Sequence, residues 1–521
     1  MGVYTHSGSN HWPAPFVSRE PTKELGDGRQ LRTQCSFISL HFGRAPGFRL
    51  SGSEERLMVL QAFAAVNVLF FVLCAFAFVR RNDKLLVSIL IVSCALTGVV
   101  SFAGTVWHPQ KIAGLFCLAS IVTCPGLLDL CGAQIRRNCI LVVFCVLISL
   151  VSAYAWTPSQ IASQESFTLQ GSFLRPIVQS YAYISAIGVF AFVLAYLTQT
   201  GRPDRLLSLF FWTVFAASIV GWVHFAFLRM GWSFLPIPRY TGHASELAAF
   251  TADGKIVTRV YALSGEPKHF ATLLLPGILL QFFLIALPDD SSITRLQATA
   301  GLILTFPLLI LTYSTGAFIS LLFGFAMVSV SIFGSHPQVV TRVILVGLTG
   351  VLGLFVFSLL NSDFLEALVS RIESRSVERL STEYDTRLEY LAVEYILVQR
   401  PETLLFGLGP GMYNYHGFGG VSQNSGVQPM TSAWASILVD LGLLGTIAFW
   451  IIILKTLWAG VELLRSATCS GITAGAYGGL VGSVAAGIAT GSLYLVMIFC
   501  ALLLCLYRLT TDDGDISDDS L

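Results

Sequence analysis

The sequence predicts an all-α fold, a polytopic bundle of transmembrane helices, on three observations. Of the 521 residues, 54% are hydrophobic and only 12% are charged, whereas roughly 25% of the residues in a soluble domain are charged. The mean hydropathy is +0.72. The apolar residues form blocks of about 20, the length at which an α-helix crosses about 30 Å of hydrocarbon. The composition therefore excludes a soluble enzyme and makes the lipid bilayer a partner.

The apolar blocks give the order of the predicted helices and a count of 12 to 13 spans. Two pairs of blocks are separated only by small-residue turns, Ser314-Thr315-Gly316 and Ala489-Thr490-Gly491, which predicts two helical hairpins. The blocks lie at 57–79, 85–106, 112–133, 139–156, 177–198, 206–228, 269–287, 296–313, 316–333, 342–360, 433–457, 471–488 and 490–506.

Basic residues on alternate connections orient these helices. By the positive-inside rule they are cytoplasmic anchors, and they are Arg136, Arg137, Arg202, Arg205, Arg295, Arg342, Arg465 and Arg508. The connections 157–176, 229–268 and 361–432 then lie on the extracytoplasmic side. The same rule places Arg80, Arg81 and Lys84 inside. With thirteen spans, however, the basic N-terminal tail would then lie outside, which conflicts with the rule. The sequence therefore leaves the N-terminal orientation open.

The pattern divides the chain into seven parts. They are a polar N-terminal tail (1–56), N-terminal transmembrane helices (57–228), a first extracytoplasmic loop (229–268), transmembrane helices (269–360), a large extracytoplasmic loop (361–432), C-terminal transmembrane helices (433–506) and an acidic cytoplasmic tail (507–521). The tail has no apolar segment typical of a signal peptide. The net charge of +1 gives no reason to expect a nucleic-acid partner.

Charge is concentrated in the large loop. Fourteen of the forty residues from Asp363 to Glu402 are charged. A stripe of apolar residues at helical spacing, Tyr384, Leu388, Leu391, Tyr395 and Val398, predicts an amphipathic helix over the membrane face. Arg387 lies at the edge of this stripe, where its planar guanidinium could bind phosphate oxygens in a bidentate way. The alternative is a snorkelling side chain or an ion pair with Glu394.

Glycines and aromatic residues follow that helix. The segments Leu405–Gly411 and Gly417–Gly420 would let backbone N–H groups approach a ligand closely. Tyr413, Tyr415 and Phe418 would suit stacking on sugar rings, or equally an aromatic belt at the membrane interface.

The first long loop ends in a second charged segment. Pro267 predicts the first residue of the next helix, so Glu266, Lys268 and His269 lie at a helix N-terminus. With Arg259, this positively polarised helix end predicts a site that attracts anions. Glu266 is either a simple helix cap or a general base.

Charge inside the spans is scarce, which argues against a proton-coupled transporter. It comprises Asp129, Asp440 and Lys455, whereas such transporters carry carboxylate or histidine relays within the membrane. The outer loops contain no carboxylate pairs at metal-ligand spacing, so we expect no metal and no cofactor.

Several motifs in one order resemble the O-antigen ligase and O-antigen polymerase superfamily, bacterial membrane glycosyltransferases of the GT-C type. They are Arg387-Leu-Glu-Tyr, Pro401, Leu405–Gly411 and the span from Trp434 to Gly445. The positions that match the family pattern are Arg387, Gly407, Gly409, Gly411, Asp440, Gly442 and Gly445. Two earlier segments, Ser264–Ala271 and Leu311–Ala317, are also similar to the family. The chain departs from it at Thr431 and Ser432, where ligases have His-Asn, and at Thr315, where many members have Arg.

The resemblance implies a GT-C-like bundle in the bacterial cytoplasmic membrane with an extracytoplasmic active site. The enzyme would join a glycan from a polyprenyl-diphosphate donor to a lipid-linked glycan acceptor, alongside a flippase and a chain-length regulator. We assign Arg387, Glu266 and Arg259 to catalysis, with Asp385 and His416 as alternative bases to Glu266. The residues assigned to substrate binding are Lys268, His269, His416, Gly407, Gly409, Gly411, Tyr413 and Asp440. The alternatives are a ligase acting on a lipid core, a transporter or flippase of lipid-linked glycan, and a non-catalytic assembly partner.

Overall fold

The computed structural model describes residues 52–97, 100–102, 105–156, 173–230, 248–250, 256–287, 292–333, 341, 344–345, 347, 388–416, 432–466, 469–488 and 492–511. In this part of the chain the structure is almost entirely helical, as predicted. The helices are α1 (Gly52–Val79), α2 (Asp83–Ser93), α3 (Pro109–Thr123), α4 (Gly126–Leu130), α5 (Ala133–Trp156), α6 (Leu174–Thr200), α7 (Pro203–Arg229), α8 (Pro267–Ala286), α9 (Arg295–Leu311), α10 (Thr315–Phe333), α11 (Leu388–Glu394), α12 (Ala433–Arg465), α13 (Gly471–Ala486) and α14 (Leu493–Thr511).

Seven of the described helices are long and apolar enough to cross a membrane: α5, α6, α7, α8, α10, α12 and α14. The described part of the chain thus has the helices of a multi-pass membrane protein. Helices α3 and α9, and the Ala65–Val79 part of α1, are apolar but shorter. The predicted span 342–360 and most of the loop 361–432 lie outside the described residues.

The predicted span 85–106 is wrong as one continuous helix. Helix α2 ends at Ser93, and an antiparallel hairpin follows, with β1 (Val100–Phe102) paired to β2 (Thr105–Trp107). Their β-branched Val100, Thr105 and Val106 suit extended backbone better than helix. A second hairpin pairs β3 (Ala248–Phe250) with β4 (Ile256–Thr258).

Helix α8 lies in the core, and α13 packs along it. Most of the α8 residues are buried. The small residues of α13 allow a close approach, since a Cβ atom on Gly475 would lie 2.7 Å from Leu280 Cδ1. Close backbone packing through glycine is typical of helix pairs in membranes. The core is therefore built on backbone proximity as well as on large side chains.

The predicted basic anchors that can be placed lie at one end of the bundle, which we call the basic end. Arg508, at the end of α14, donates to the carbonyls of Leu130 and Cys131, close to Arg136. Arg80, Arg81 and Lys84 lie beside Thr200, the last residue of α6. The sequence alone left the membrane side of Arg80, Arg81 and Lys84 open. In the structure these three cations lie at the basic end with the other anchors.

Candidate functional site

At the opposite end of the bundle, helix α12 is broken at Gly442, whose φ is 67° and ψ is −168°. A segment of the preceding loop fills the break with backbone hydrogen bonds. Leu408 N donates to Val439 O at 2.8 Å, and Leu443 N donates to Leu404 O at 2.8 Å. An interrupted helix frees backbone groups that must be paired in an apolar environment. The glycine-rich segment predicted as a ligand loop therefore completes the hydrogen bonding of a broken helix.

The predicted glycines lie where any side chain would collide. Gly407, Gly409 and Gly411 all have positive φ, at 78°, 96° and 70°. A Cβ atom on Gly407 would overlap the Asp440 carbonyl, and one on Gly409 would overlap Ala153 of α5. Close approach to α12 and α5, together with the left-handed backbone, accounts for glycine at these positions.

Asp440 is buried next to the break, and fixed donors reach both of its carboxylate oxygens. Tyr183 Oη donates to Oδ2 at 2.7 Å, and Gly411 N donates to Oδ1 at 3.0 Å. The buried Arg175 donates from Nε to Gly411 O at 2.6 Å and lies over the Tyr415 ring. A buried carboxylate is stable when donors and a nearby cation compensate it. We call Asp440, Tyr183, Arg175 and Gly411 the Asp440 node.

Tyr413 is also built into this packing. Its ring is buried in a small apolar cluster, whose members are Ala392, Ile396, Leu408, Tyr413 and Val439. The predicted amphipathic helix continues from α11 into a π-helical turn, Tyr395–Gln399. In this turn Val398 is exposed, and the π-helical turn has a different period from the α-helix.

His416 lies on the same loop with Tyr395. Its Nδ1 is 3.4 Å from Tyr395 Oη. Burial, and next the charge of Arg400, lower the pKa of His416 from its ordinary 6.5 to about 4. Arg400 itself is exposed and pairs with Glu402 at 3.2 Å. His416 is therefore neutral in the folded protein near pH 7.

A second charged group lies where α8 begins. The helix starts at Pro267, as predicted, with Glu266 at its N-cap. Glu266 Oε2 lies 3.1 Å from Lys268 Nζ and 3.7 Å from His269 Nε2. The side chains of all three remain partly exposed, at 18% for Glu266, 28% for Lys268 and 38% for His269.

Helix α3 begins beside them and adds two residues that the sequence analysis missed. His108 is the N-cap of α3, with Pro109 next and Lys111 in the first turn. Burial, and then the charges of Lys111 and His269, hold the pKa of His108 well below its ordinary value. Tyr181 of α6 donates its hydroxyl to the Lys111 carbonyl. We call His108, Lys111, Glu266, Lys268 and His269 the polar cluster.

Arg259 lies on the turn that leads into the polar cluster. Its buried side chain donates from Nε to Thr312 O at 2.7 Å, at the end of α9. His224 of α7 supports the same turn, because its Nδ1 accepts from Ala262 N at 3.2 Å. Ser264 O accepts from Thr97 Oγ1 at 3.2 Å. Arg259 therefore links the first loop to α9.

The predicted site residues thus separate into two groups joined by α6. Gly407, Gly409, Gly411 and Tyr413 pack around Asp440, whereas Glu266, Lys268 and His269 form the polar cluster with α3. Helix α6 contacts both, through Tyr183 and Tyr181. Arg387 and Asp385 lie outside the described residues, so their roles stay predictions.

A shared sequence signal could have found the missed residues of α3. The segment His108-Pro109-Gln110-Lys111 has the same arrangement as Glu266-Pro267-Lys268-His269, a polar N-cap and Pro before a cationic first turn. No such local signal marks Arg175, Tyr183 or His224, whose partners are distant in sequence.

The described residues contain no group of three or more His, Cys, Asp or Glu side chains arranged to hold a metal ion. The expected absence of a metal stays a prediction for the whole chain. No protein-family model matches the chain, and no curated protein matches it.

Proposed function

We propose that the chain is a membrane glycosyltransferase that polymerises polyprenyl-diphosphate-linked oligosaccharide units of a bacterial surface polysaccharide. The motif resemblance to the O-antigen ligase and polymerase superfamily supports this proposal. The proposed setting is the bacterial cytoplasmic membrane, with the polar cluster on the extracytoplasmic side and the lipid-linked glycans as donor and acceptor.

The observation that carries the proposal is a partly exposed carboxylate beside a lysine and a histidine at the start of a membrane helix. Glu266 Oε2 lies 3.1 Å from Lys268 and 3.7 Å from His269, and His108 at the start of α3 interacts electrostatically with both His269 and Lys111. A leaving diphosphate needs positive charge close to its oxygens, and an acceptor hydroxyl needs a base. The polar cluster offers both within one small region.

The proposed step is a substitution at the anomeric carbon of the donor. The acceptor hydroxyl oxygen forms the new glycosidic bond, and its proton passes to the Glu266 carboxylate. The bond from the anomeric carbon to the diphosphate oxygen breaks, and its electron pair leaves with the diphosphate. Lys268 and Lys111 stabilise that negative charge, and Arg387 is predicted to contribute the bidentate contact.

The Asp440 node has a positioning role in this proposal. Within the node, Gly411 N donates to the Asp440 carboxylate and Gly411 O accepts from Arg175. These two contacts fix the loop that carries His416. Fixed supporting contacts of this kind keep a site in its productive geometry.

The test uses the purified full chain in detergent with a synthetic polyprenyl-diphosphate-linked repeat unit. We expect the glycan to lengthen without a membrane gradient, by repeats that mass spectrometry resolves, and EDTA to leave the rate nearly unchanged. Transfer only to an added lipid core would indicate a ligase. Transfer to neither acceptor, with movement of the lipid-linked glycan across liposome membranes, would contradict the enzyme proposal and indicate a transporter.

Arg387 provides the sharpest variant in the same assay. Arg387→Ala should abolish elongation, and Arg387→Lys should raise the barrier by about 2 kcal/mol or more, because ammonium keeps the charge without the bidentate geometry. Arg375→Ala is the control. Arg371, Arg375 and Arg379 are spaced four apart and interleaved with Glu373 and Glu378, which predicts a solvated face of the same loop. Normal elongation by Arg387→Ala at normal expression would contradict the predicted role.

A further inference from the structure

We infer that the basic end of the bundle carries a binding site for the headgroup of an anionic phospholipid, formed between the α1–α2 turn and the end of α6. The site is a groove of about 660 Å³, within the range of about 300–1,000 Å³ typical of small-molecule sites. The residues that carry the argument are Phe76, Arg80, Arg81, Lys84, Tyr196 and Thr200. It lies at the other end of the bundle from the polar cluster and is independent of the proposed glycosyltransferase activity.

The charge of the groove favours a phosphate group. Arg80, Arg81 and Lys84 line it with a single carboxylate, Asp83. In the described part of the chain, none of the three cations forms an ion pair, and Arg80 lies over the Phe76 ring at 5.8 Å. Exposed cations close together repel one another until an anion lies between them.

The neighbouring surface favours a lipid over a soluble phosphate. Val68, Val72, Phe76 and Val79 share one face of α1 and are all exposed, and this apolar face leads directly to Arg80. Acyl chains can pack along such a face while the headgroup reaches the cations. Clusters of Lys and Arg at the end of membrane helices attract anionic lipid by about 1 kcal/mol per cation.

Lipid retention tests the inference. The purified chain is placed in nanodiscs with equal amounts of phosphatidylglycerol and phosphatidylcholine of the same acyl chains, and lipids retained on the released protein are counted by native mass spectrometry. We expect phosphatidylglycerol to be enriched on the wild type. One cation is expected to change the affinity about fivefold, so the triple variant Arg80→Gln, Arg81→Gln and Lys84→Gln should weaken retention about a hundredfold.

A matched triple variant controls for charge. Arg137, Arg295 and Arg465 are exposed, lie on other connections predicted at the same end, and do not line the groove. Changing these three to Gln should leave retention unchanged. Equal retention by the wild type and the groove variant, or equal loss in the two triple variants, would overturn the inference.

Two further measurements complete the test. If the groove triple variant does not insert, Lys84→Gln alone should weaken retention about fivefold, and unchanged retention in this folded variant would equally overturn the site. Millimolar glycerol 3-phosphate should not displace the lipid. Displacement at that concentration would indicate a site for small soluble phosphates and would contradict a lipid site.

Discussion

The Asp440 node and the polar cluster both place a carboxylate near cations, but they differ in what surrounds it. Asp440 is 4% exposed, and its two oxygens accept from a tyrosine hydroxyl and a backbone N–H group. Glu266 is more exposed, and the side chains of Lys268 and His269 lie 3.1 Å and 3.7 Å from its Oε2. The carboxylate is held by fixed hydrogen bonds in the Asp440 node and is partly open to solvent in the polar cluster.

This difference in exposure suggests a structural role for the Asp440 node and a chemical role for the polar cluster. Removing one partner from a buried, fully bonded carboxylate leaves the others desolvated and unpaired, which is costly. Lys268 and His269 are 28% and 38% exposed, so exchanging Glu266 for a ligand costs them less desolvation than a change at the Asp440 node would. We therefore expect changes at the Asp440 node to act on folding and changes at the polar cluster to act on activity.

The largest expected effect follows from Gly407→Ala, which should prevent the protein from folding. A Cβ atom there would overlap the Asp440 carbonyl, and the residue has a positive φ. Two controls separate these causes. Gly201 has a positive φ, but no atom lies within 4 Å of an added Cβ. Gly201→Ala should therefore lower the free energy of unfolding by about 1–2 kcal/mol. Gly126→Ala has neither problem and should be nearly silent.

The yield of monodisperse protein and the thermal midpoint measure this series. The described cysteines are mostly buried, so a thiol-reactive dye reports unfolding. If Gly407→Ala folded as well as Gly126→Ala, the docking of the loop into the α12 break would be wrong.

Within the polar cluster, Glu266→Gln should have the largest effect on elongation while the protein still folds. Loss of a general base costs about a hundredfold or more in rate, whereas stability should change less than in variants of the Asp440 node, because the Glu266 pair is partly exposed. Glu402→Gln is the matched control, since Glu402 also pairs with a cation, Arg400, at 3.2 Å. It should leave both rate and midpoint unchanged.

The initial rate of glycan elongation and the thermal midpoint are measured on the same samples. A normal rate in Glu266→Gln would remove this residue from the proposed mechanism. A large fall in its midpoint would show that the polar cluster is structural, like the Asp440 node.

Tyr183→Phe should destabilise the protein without changing the residues of the polar cluster. It removes the donor to Asp440 Oδ2, and leaving a buried acceptor unpaired costs about 1–3 kcal/mol. Tyr181→Phe on the same helix removes a hydroxyl that donates to the Lys111 carbonyl and interacts with the uncharged Ser185 and Tyr494, and it should cost about 1 kcal/mol. Free energies of unfolding in mixed micelles would measure both, and a larger cost for Tyr181→Phe would reverse the assignment.

The sequence was sufficient for features that depend on neighbouring residues. The start of α8 at Pro267 is confirmed, and so is an interruption between α9 and α10. The interruption lies at 312–314, so Thr315 and Gly316 of the predicted turn already belong to α10. Each follows from local chemistry, a proline at a first helical position and small residues between two apolar blocks.

The contacts that build the site were not predictable in this way. Arg175 and Gly411 are 236 residues apart, and Tyr183 and Asp440 are 257 apart. The sequence marked Gly407 and Asp440 as important, but only the structure shows that the loop repairs a broken helix. Backbone pairing across such a distance leaves no periodic pattern in a single sequence.

The smallest expected effect is on the pH dependence of stability and involves His416, which lies on the loop held by the Asp440 node. The pKa of His416 is about 4 in the folded protein against 6.5 ordinarily, so between these values the unfolded chain binds more protons. Unfolding therefore becomes easier as pH falls from about 6.5 toward about 4, and the stability that neutral His416 contributes above that window is lost. In His416→Gln, which cannot titrate, the thermal midpoint should fall less between about pH 7.5 and about pH 4.5 than in the wild type. Identical falls in the two proteins would show that this imidazole is not held neutral by burial against Tyr395.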